Sequence, residues 1–388
     1  MDLTQLLAFT MQNKASDLHL SSGSPPIIRV HGIMKRVKAD PLSSDDIRTM
    51  LYSVMTEDQR AEYEENLELD FAIALGEKAR FRVNGFTSRL GSCAVFRTIP
   101  TEVPTMAQLD LPPVIRRFAD LKKGIILVTG PTGSGKSTTL ASMINHINLH
   151  APKHILTIED PVEFFHNSKK ALINHREVGT DTKSFARALK SSLREDPDVI
   201  LVGEMRDYET ISLALTAAET GHLVFATLHS SSAAKTIDRV IDVFPTGDKE
   251  MVRAMLASSL QGVIAQTLLT RADGTGRIGA YEILVGTNAI RNLIRENQIP
   301  QIYSMMQTGS RYGMVTMEDA VNDLLEAGLI DKDEAREALM RVSGGEEERD
   351  EDYADASVGG GKLSDSSAGS MGGSEGKKKE SSAEGYSF

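Results

Sequence analysis

A glycine-rich segment of eight residues has the spacing of a phosphate-binding loop. It lies directly after the apolar run 125–129 and directly before a stretch with helical spacing, the context that such a loop requires. Converging backbone N–H groups and a helix N-terminus attract phosphate, the lysine reaches the terminal phosphates, and the final serine is placed to bind Mg²⁺. We therefore predict a nucleotide site with Mg²⁺. The predicted nucleotide-binding residues are Gly130, Pro131, Thr132, Gly133, Ser134, Gly135, Lys136, Ser137 and Thr138.

Hydrolysis also needs carboxylates, and two glutamates follow predicted strands. Glu163 comes after the strand at 154–159, and Glu204 comes after the strand at 199–203. In a parallel sheet covered by helices, the carboxyl ends of the strands line the ligand crevice, so both side chains can face the phosphates. One carboxylate would orient or deprotonate water and another would serve the metal. Either glutamate alone fits a solvated loop, but the two together with the phosphate loop predict catalysis.

Two histidines flank a third predicted strand at 223–227. His222 precedes this strand and His229 follows it, and we include both among the candidate nucleotide-binding residues. A histidine at the strand end could sense the terminal phosphate by hydrogen bonding. A histidine satisfied within the core or a turn is an equally good interpretation of the pattern alone.

Arginines are dense in the region 79–99, which alternates like paired strands. They are Arg80, Arg82, Arg89 and Arg97. Arginine suits bidentate phosphate contact and the neutralisation of charge in a transition state. A solvated sheet face explains the same pattern, so the residues alone leave both interpretations open.

The elements that must position these residues form two regions, in which strands and helices follow each other in different patterns. Residues 1–110 mix helical stretches with paired strands and predict an α+β domain, with a break at Gly85 within 79–99. Residues 111–123 contain adjacent prolines and suit a linker. From 124 to 343 short apolar strands alternate with helices, which predicts an α/β domain with a parallel sheet and a more helical segment after about residue 248.

Residues 344–388 differ in composition from the rest of the chain. They contain 10 Gly, 9 Ser and 11 acidic residues, with few large apolar side chains, so they predict a disordered tail. The 388 residues include 54 Asp and Glu against 43 Lys and Arg, giving a net charge of −11, of which −6 lies in this tail. An acidic chain argues against a general nucleic-acid clamp, and no nucleic-acid partner is expected.

The composition also suggests where the chain works. No run of about 18 apolar residues could cross a bilayer, and the first 14 residues lack the basic-then-apolar pattern of a secretory signal. We expect a cytoplasmic protein. A single cysteine, Cys93, cannot form an internal disulfide or a zinc cluster made of cysteines.

Several segments together resemble secretion-type ATPases, and two further segments resemble the type IV pilus retraction ATPases within that superfamily. The similarity covers about residues 1–343. The first set is 130–137, the Walker A motif; 154–164, the Asp box; 193–198 with 203–207, the Walker B region; and 220–229, the His box. The second set is 15–20 and 289–296.

The resemblance implies an architecture and a role. The chain would form a homohexameric ring, each subunit combining a PAS-like N-terminal domain with a RecA-like ATPase domain. It would hydrolyse ATP to drive pilus disassembly and twitching motility at the cytoplasmic face of the inner membrane. Its implied partners are an inner-membrane pilus platform protein and a paralogous retraction ATPase.

The resemblance also implies roles for single residues. Lys136 and Ser137 would bind phosphate and Mg²⁺, and His229 would sense the nucleotide. Glu163 of the Asp box would orient or activate water, and Glu204 would serve the Walker B metal and water network, with water activation divided between the two. Arg82 and Arg97 would reach the terminal phosphate from the N-terminal domain.

The segment 289–296 predicts a helix with two faces. Its apolar residues form one stripe, while Arg291 and Arg295, four residues apart, are predicted on the exposed side, where like charges mildly oppose an isolated helix. This pattern fits docking on an acidic partner or subunit surface, or a packed helix with solvated arginines. The family resemblance favours a role in retraction. The segment comprises Ala289, Ile290, Arg291, Asn292, Leu293, Ile294, Arg295 and Glu296.

Three other functions fit parts of the sequence. An accessory retraction ATPase shares the same boxes, a regulatory module could bind nucleotide with little turnover, and a nucleic-acid translocase could be built on a RecA-like core. The lone Cys93 argues against the extension and type II secretion motors, which usually have a tetracysteine zinc subdomain. The segment 289–296 favours the main retraction motor.

Overall fold

Two β-sheets organise the part of the chain that the structure describes. The computed structural model describes residues 2–30, 32–76, 79–99 and 103–343, so the predicted tail at 344–388 lies outside the described residues. The strands are β1 (Asp17–Ser21), β2 (Ile27–Val30), β3 (Ile33–Arg36), β4 (Glu68–Leu75), β5 (Ala79–Ser88), β6 (Gly91–Ile99), β7 (Gly124–Thr129), β8 (His154–Glu159), β9 (Leu172–Glu177), β10 (Val199–Val202), β11 (Leu223–Thr227), β12 (Leu260–Thr270) and β13 (Arg277–Val285).

Helices connect and cover these strands. The α-helices are α1 (Leu3–Gln12), α2 (Ser44–Tyr52), α3 (Glu57–Asn66), α4 (Pro113–Ala119), α5 (Lys136–His150), α6 (Phe185–Ser192), α7 (Tyr208–Glu219), α8 (Ala233–Asp242), α9 (Lys249–Ser259), α10 (Asn288–Arg295), α11 (Ile302–Gln307), α12 (Met317–Glu326) and α13 (Lys332–Ser343). Within the described ranges, no helix is both long and apolar enough to span a membrane.

The first sheet is antiparallel, with strand order β3-β2-β1-β6-β5-β4. Its apolar face packs on α1, α2 and α3 around fully buried side chains such as Phe81 and Phe96. The predicted break at Gly85 is wrong, because β5 runs through this residue and turns only after Ser88. Gly85 instead lies against Leu51, whose side-chain carbons would be 3.3 Å from an added Cβ. A small residue is needed there for packing.

The second sheet has the order β13-β12-β7-β11-β10-β8-β9, and all its neighbouring strands are parallel except the pair β12–β13. Alternate residues of β7 enter two different cores: Ile125 and Leu127 face one, while Ile126 and Val128 face the other. Every residue of β7 is buried. The sheet is therefore covered on both faces, and the predicted α/β fold is confirmed.

The predicted helical segment after residue 248 contains the helices α9 to α13, but the hairpin β12–β13, which was not predicted, interrupts it. A continuous apolar run such as that of β12 fits a buried helix or a buried strand equally well, and periodicity alone cannot separate them. Pairing with β7 decides the outcome, because Val263 and Ala265 lie opposite Leu127 and Thr129. This pairing places β12 beside the phosphate loop.

Helix α7 begins and ends at residues that are typical of helix caps. The side chain of Asp207 accepts a hydrogen bond from Thr210 N at 2.8 Å and caps the start of α7. Gly221, with a φ of 118°, lies just beyond its end. Such caps satisfy backbone groups that the helix itself cannot pair.

Candidate functional site

The phosphate loop joins the end of β7 to the start of α5. Gly130 has a φ of 141°, and a Cβ there would lie 2.2 Å from the carbonyl oxygen of Gln266, so only glycine fits. Lys136 is buried, with its ammonium donating to the carbonyl oxygens of Gly130 and Pro131 at 2.8 and 3.0 Å. The loop thus folds around its own lysine at the carboxyl edge of the sheet.

Three predicted residues meet at this edge. The Nζ atom of Lys136 lies 3.5 Å from Nδ1 of His229, and Nε2 of His229 lies 3.1 Å from a carboxylate oxygen of Glu204. A single tautomer satisfies both contacts, with Nδ1 accepting from the lysine and Nε2–H donating to the glutamate. The other carboxylate oxygen of Glu204 pairs with Arg206 at 2.6 Å. His229 therefore connects the phosphate-binding lysine to the Walker B glutamate.

The electrostatics of this trio fix its charge states. Burial would raise the pKa of Glu204, but the hydrogen bond and charge of Arg206 and the charge of Lys136 outweigh it and hold that pKa below its ordinary value. Burial and the neighbouring ammonium of Lys136 lower the pKa of His229, so the ring is neutral near pH 7. Burial also lowers the pKa of Lys136, opposed by Glu204 and Glu163. The site presents an ionised carboxylate next to a neutral imidazole.

Glu163 is an exposed side chain on a turn that the carboxyl groups of Glu159 and Glu177 hold in place. The carboxyl group of Glu159 accepts hydrogen bonds from Thr157 and from the backbone of Glu163, and burial raises its pKa to about 7. A carboxylate oxygen of Glu177 accepts from Val162 N at 3.0 Å. Sequence analysis missed Glu159, although its position at the end of a strand next to the Asp box could have identified it.

Ser137 offers a fitting donor for Mg²⁺. It lines a cavity of about 30 Å³ together with Thr157, Glu159 and Thr227. Hydroxyl and carboxylate oxygens are the hard donors that Mg²⁺ prefers, and in phosphate sites Mg²⁺ keeps much of its shell as water and substrate oxygens. Among the described residues no group of three or more His, Cys, Asp or Glu side chains could hold a metal by itself. The donors suit an ion bound jointly with a nucleotide.

His222 does not join this site in its own chain. It lies at the amino end of β11, on the opposite edge of the sheet from His229. Its Nδ1 lies 2.9 Å from the carbonyl oxygen of Ala217, at the end of α7. Its inclusion among the nucleotide-binding residues is therefore corrected, because strand β11 separates the two histidines.

Arg82 and Arg97 lie opposite each other on β5 and β6 of the first sheet. Arg82 Nε donates to Asp70 at 3.0 Å, and Arg97 Nε donates to Asp17 at 2.9 Å. The hydrogen bonds that Arg82 donates to Asp70 raise the pKa of Arg82 despite burial, and the charges of Asp160 and Glu163 contribute to the same shift. The arginines are thus paired within their own sheet, and Arg82 lies within the field of the Asp box.

The α10 segment differs from its prediction in two places. Arg291 is half-buried and donates to the carbonyl oxygens of Gly286, Ser258 and Leu260 at 2.8, 3.0 and 2.9 Å. Burial lowers the pKa of its guanidinium. The expectation that both arginines lie on an exposed face is therefore wrong for Arg291, because backbone carbonyl groups at the α9–β12 junction and just after β13 accept its hydrogen bonds.

The other residues of α10 are divided between the buried core and the exposed surface. Ile290 and Ile294 are fully buried, and Leu293 packs partly against the same core. Ala289, predicted in the apolar stripe, is exposed instead. Arg295 is exposed and donates to Asn292 at 2.8 Å. The helix thus offers solvent a surface formed by Ala289, Asn292, Arg295 and Glu296.

Gln266 of β12 is a site residue that sequence analysis missed. It is buried, and its side-chain amide donates to Ser134 O in the phosphate loop at 2.7 Å. No local signal identifies it, because its contact with the loop depends on β12 pairing with β7.

Comparison with known proteins agrees with this geometry. The family model for type II/IV secretion system proteins matches residues 1–275. The chain is 57% identical over 337 residues to the type IV pilus retraction ATPase PilT of Pseudomonas aeruginosa, covering 87% of this chain and 98% of that protein. The chain belongs to the type II/IV secretion system protein family.

Two further comparisons, with a PilT structure and with a PilU protein, show how similar the chain is to each. A crystal structure of the pilus retraction motor PilT with bound ADP matches with a TM-score of 0.82 and 47% identity, over 87% of this chain and 97% of that one. The type IV pilus ATPase PilU of Pseudomonas aeruginosa is 38% identical over 335 residues, covering 86% of this chain and 88% of that protein. The similarity to PilT exceeds the similarity to PilU.

Proposed function

We propose that this protein is an ATP-hydrolysing motor that drives type IV pilus retraction. The observation that supports this most directly is the convergence of Lys136, His229 and Glu204 at the carboxyl edge of the sheet, in a chain 57% identical to a pilus retraction ATPase. Nucleotide binding follows from the loop geometry and from the ADP in the structure of a related motor.

Each residue has a part in the proposed hydrolysis. The backbone of the phosphate loop and Lys136 bind the β- and γ-phosphates, and Glu163 and Glu204 orient water and accept its proton. Water attacks the γ-phosphorus, the bond to the bridging oxygen of ADP breaks, and ADP leaves with inorganic phosphate. Ser137 would help to hold Mg²⁺ beside the phosphates, and the ion would supply positive charge that neutralises the phosphate oxygens.

Motion would come from the arginines of the first sheet. We place a PAS-like domain at 1–110, a linker at 111–123 and a RecA-like domain at 124–343. Arg82 and Arg97 would exchange Asp70 and Asp17 for the γ-phosphate when ATP is bound, which closes the two domains. Hydrolysis would release them. A nucleotide can shift this equilibrium only through such state-specific contacts.

We propose a homohexameric ring at the cytoplasmic face of the inner membrane. Closure passed from subunit to subunit would act on the pilus platform protein, with a paralogous retraction ATPase as a further partner. The exposed surface of α10, which includes Arg295 and Glu296, is our candidate contact for the platform. Arg291 would instead hold this helix on β12.

The function is tested by phosphate release and by retraction. The purified chain should release phosphate from Mg²⁺-ATP, and Lys136→Ala should abolish the release. A deletion strain should keep surface pili in excess and lose twitching motility, both restored by the wild-type gene. A strain without pili would instead indicate an assembly motor. A purified ring that binds ATP without turnover would indicate a regulatory module.

The helix surface has its own matched pair of variants. Arg295→Ala should leave phosphate release within about twofold of wild type and abolish retraction in cells. Arg291→Ala should lower thermal stability, since it leaves buried carbonyl groups unpaired. Equal retraction by wild type and Arg295→Ala would exclude this arginine from the platform contact.

The accessory retraction ATPase is the second candidate, because a PilU protein is 38% identical to this chain. The higher identity to PilT favours the main motor. Deletion in a strain that retains a paralogue decides between them, because loss of the main motor alone should abolish retraction.

A further inference from the structure

A cation–π contact joins the two sheets close to the Asp box. The guanidinium carbon of Arg80 lies 4.1 Å from the ring centroid of Phe165. Arg80 is on β5, two residues before Arg82, so both point away from the apolar core that Phe81 enters. Phe165 follows Glu163 by two residues and is 40% exposed.

The Phe165 ring also stacks on a histidine. The rings of Phe165 and His175 stack with centroids 4.7 Å apart and planes 30° apart. The side chain of His175 is only 9% exposed, and the positive charge of Arg80 helps burial to lower its pKa. Phe165 therefore contacts both a cation from the first sheet and a ring from the second.

His175 in turn belongs to the hydrogen bonds beneath the catalytic turn. Its Nδ1 lies 2.8 Å from Thr157 Oγ1, and its Nε2 accepts from His166 N at 3.1 Å. Thr157 also hydrogen-bonds Glu159, whose carboxyl group accepts from the backbone of Glu163. Together these contacts connect Arg80 of the first sheet to the backbone of Glu163, the proposed catalytic glutamate.

We propose that Arg80 and Phe165 are a positioning pair, which holds the Glu163 turn in its catalytic place when the first sheet lies against it. This inference rests on the proposed function and deepens it. Turnover would then depend on the placement of the first sheet through Arg80, separately from any contact of Arg82 or Arg97 with phosphate. Neither residue of the pair needs to touch the nucleotide.

The strength of such contacts sets the size of the effect. A partly exposed cation–π pair is worth enough to change a rate about 3- to 30-fold when the transition state depends on it. Because the pair acts on the position of Glu163 and not on phosphate binding, the loss should appear in kcat, with KM for ATP changed less than twofold.

The test uses the full-length chain and steady-state phosphate release. Arg80→Gln and Phe165→Leu should each lower kcat about 3- to 30-fold. The double variant should be no slower than the slower single variant, since one contact is lost in all three. Phe165→Tyr keeps the ring and should retain most activity. Arg36→Gln, which removes an exposed arginine from β3 of the same sheet, is the matched control and should match wild type.

A second measurement does not depend on turnover. Hydrogen exchange at the amides of residues 162–166 should be faster in Arg80→Gln than in wild type or in Arg36→Gln. Unchanged kcat and exchange in both single variants, additive losses in the double variant, or a loss confined to KM would overturn the proposal. Wild-type protein that releases no phosphate would instead contradict the proposed function, while faster exchange in Arg80→Gln would still support the pair.

Discussion

At the carboxyl edge of the second sheet, charged groups that are far apart in the sequence meet at one point. Lys136, Glu204 and His229 follow β7, β10 and β11, which are neighbours in the sheet, and His229 lies within 3.5 Å of each of the other two. On the outer face of the first sheet, charges are instead spread across the strands in a row. This row runs through Arg29, Asp17, Arg97 and Arg82, in cross-strand register.

The two sheets show how strand topology determines where charged side chains meet. Parallel strands end on the same edge, so loops after several strands share one crevice. Antiparallel neighbours lie side by side along their whole length, so opposite charges pair across the sheet. The parallel sheet brings candidate catalytic groups together at one edge. The antiparallel sheet keeps its arginines paired with aspartates until another anion competes for the arginines.

The two regions also contain carboxyl groups with opposite behaviour. Burial raises the pKa of Glu159, at the edge of the second sheet, to about 7. Burial would also raise the pKa of Asp17, on the first sheet, but hydrogen bonds from Arg97 and Ser16 outweigh it and lower that pKa. A nearby cation, not burial itself, decides the direction.

The largest effect is expected from Glu204. Glu204→Gln removes the carboxylate that faces Lys136 and His229, and we expect kcat for ATP hydrolysis to fall by about 10²-fold or more. Phosphate release in steady state measures it. Glu209→Gln, an exposed glutamate on α7, is the control and should match wild type. If Glu204→Gln kept the wild-type kcat, hydrolysis would not depend on the carboxylate at the carboxyl edge of the second sheet.

The next effect concerns stability and pH at the same edge. The folded state favours the protonated form of Glu159, so its stabilising contribution is complete below about pH 4.5 and is lost as pH rises to about 7. The free energy of urea unfolding without nucleotide should therefore fall over this range by about 1–3 kcal/mol more in wild type than in Glu159→Gln. Identical pH profiles would contradict the raised pKa.

A smaller effect is expected from the arginine row. Arg82→Ala should lower kcat about 10-fold and weaken the domain closure that ATP induces, because a cation that neutralises phosphate charge is lost. Small-angle scattering with and without a non-hydrolysable ATP analogue measures closure. Arg36→Ala provides the control on the same sheet. If Arg82→Ala kept both its rate and its closure, the arginine face would have no part in turnover.

The smallest effect is expected at Asp17. Its lowered pKa means that the ionised form stabilises the fold above about pH 4 and that this contribution is lost as pH falls below its ordinary value of 3.8. Asp17→Asn should cost about 1 kcal/mol of unfolding free energy at pH 7, since partly exposed ion pairs are weak. The difference from wild type should shrink at pH 3. A difference that grew in acid would reverse the assigned sign.

Much of the site was predictable because its signals are local. A phosphate loop between a strand and a helix, glutamates after strands and Gly221 after α7 each need only neighbouring residues to be recognised. The misplaced residues depended on distant ones. His222 and His229 share one box of sequence, but strand β11 lies between them. Arg291 looks solvated in the sequence, but it donates to three backbone carbonyl groups, those of Ser258 in α9, Leu260 in β12 and Gly286 after β13.

The sequence alone predicted the phosphate loop, the strands β7, β8, β10 and β11 around it and the resemblance to a family. These rest on backbone geometry and spacing within short segments. Tertiary structure decided that Gln266 holds the loop, that Arg80 covers Phe165 and that Asp17 and Asp70 hold the arginines. The physical reason is that strand pairing and packing set distances between residues that the chain separates, and those distances determine charge and contact.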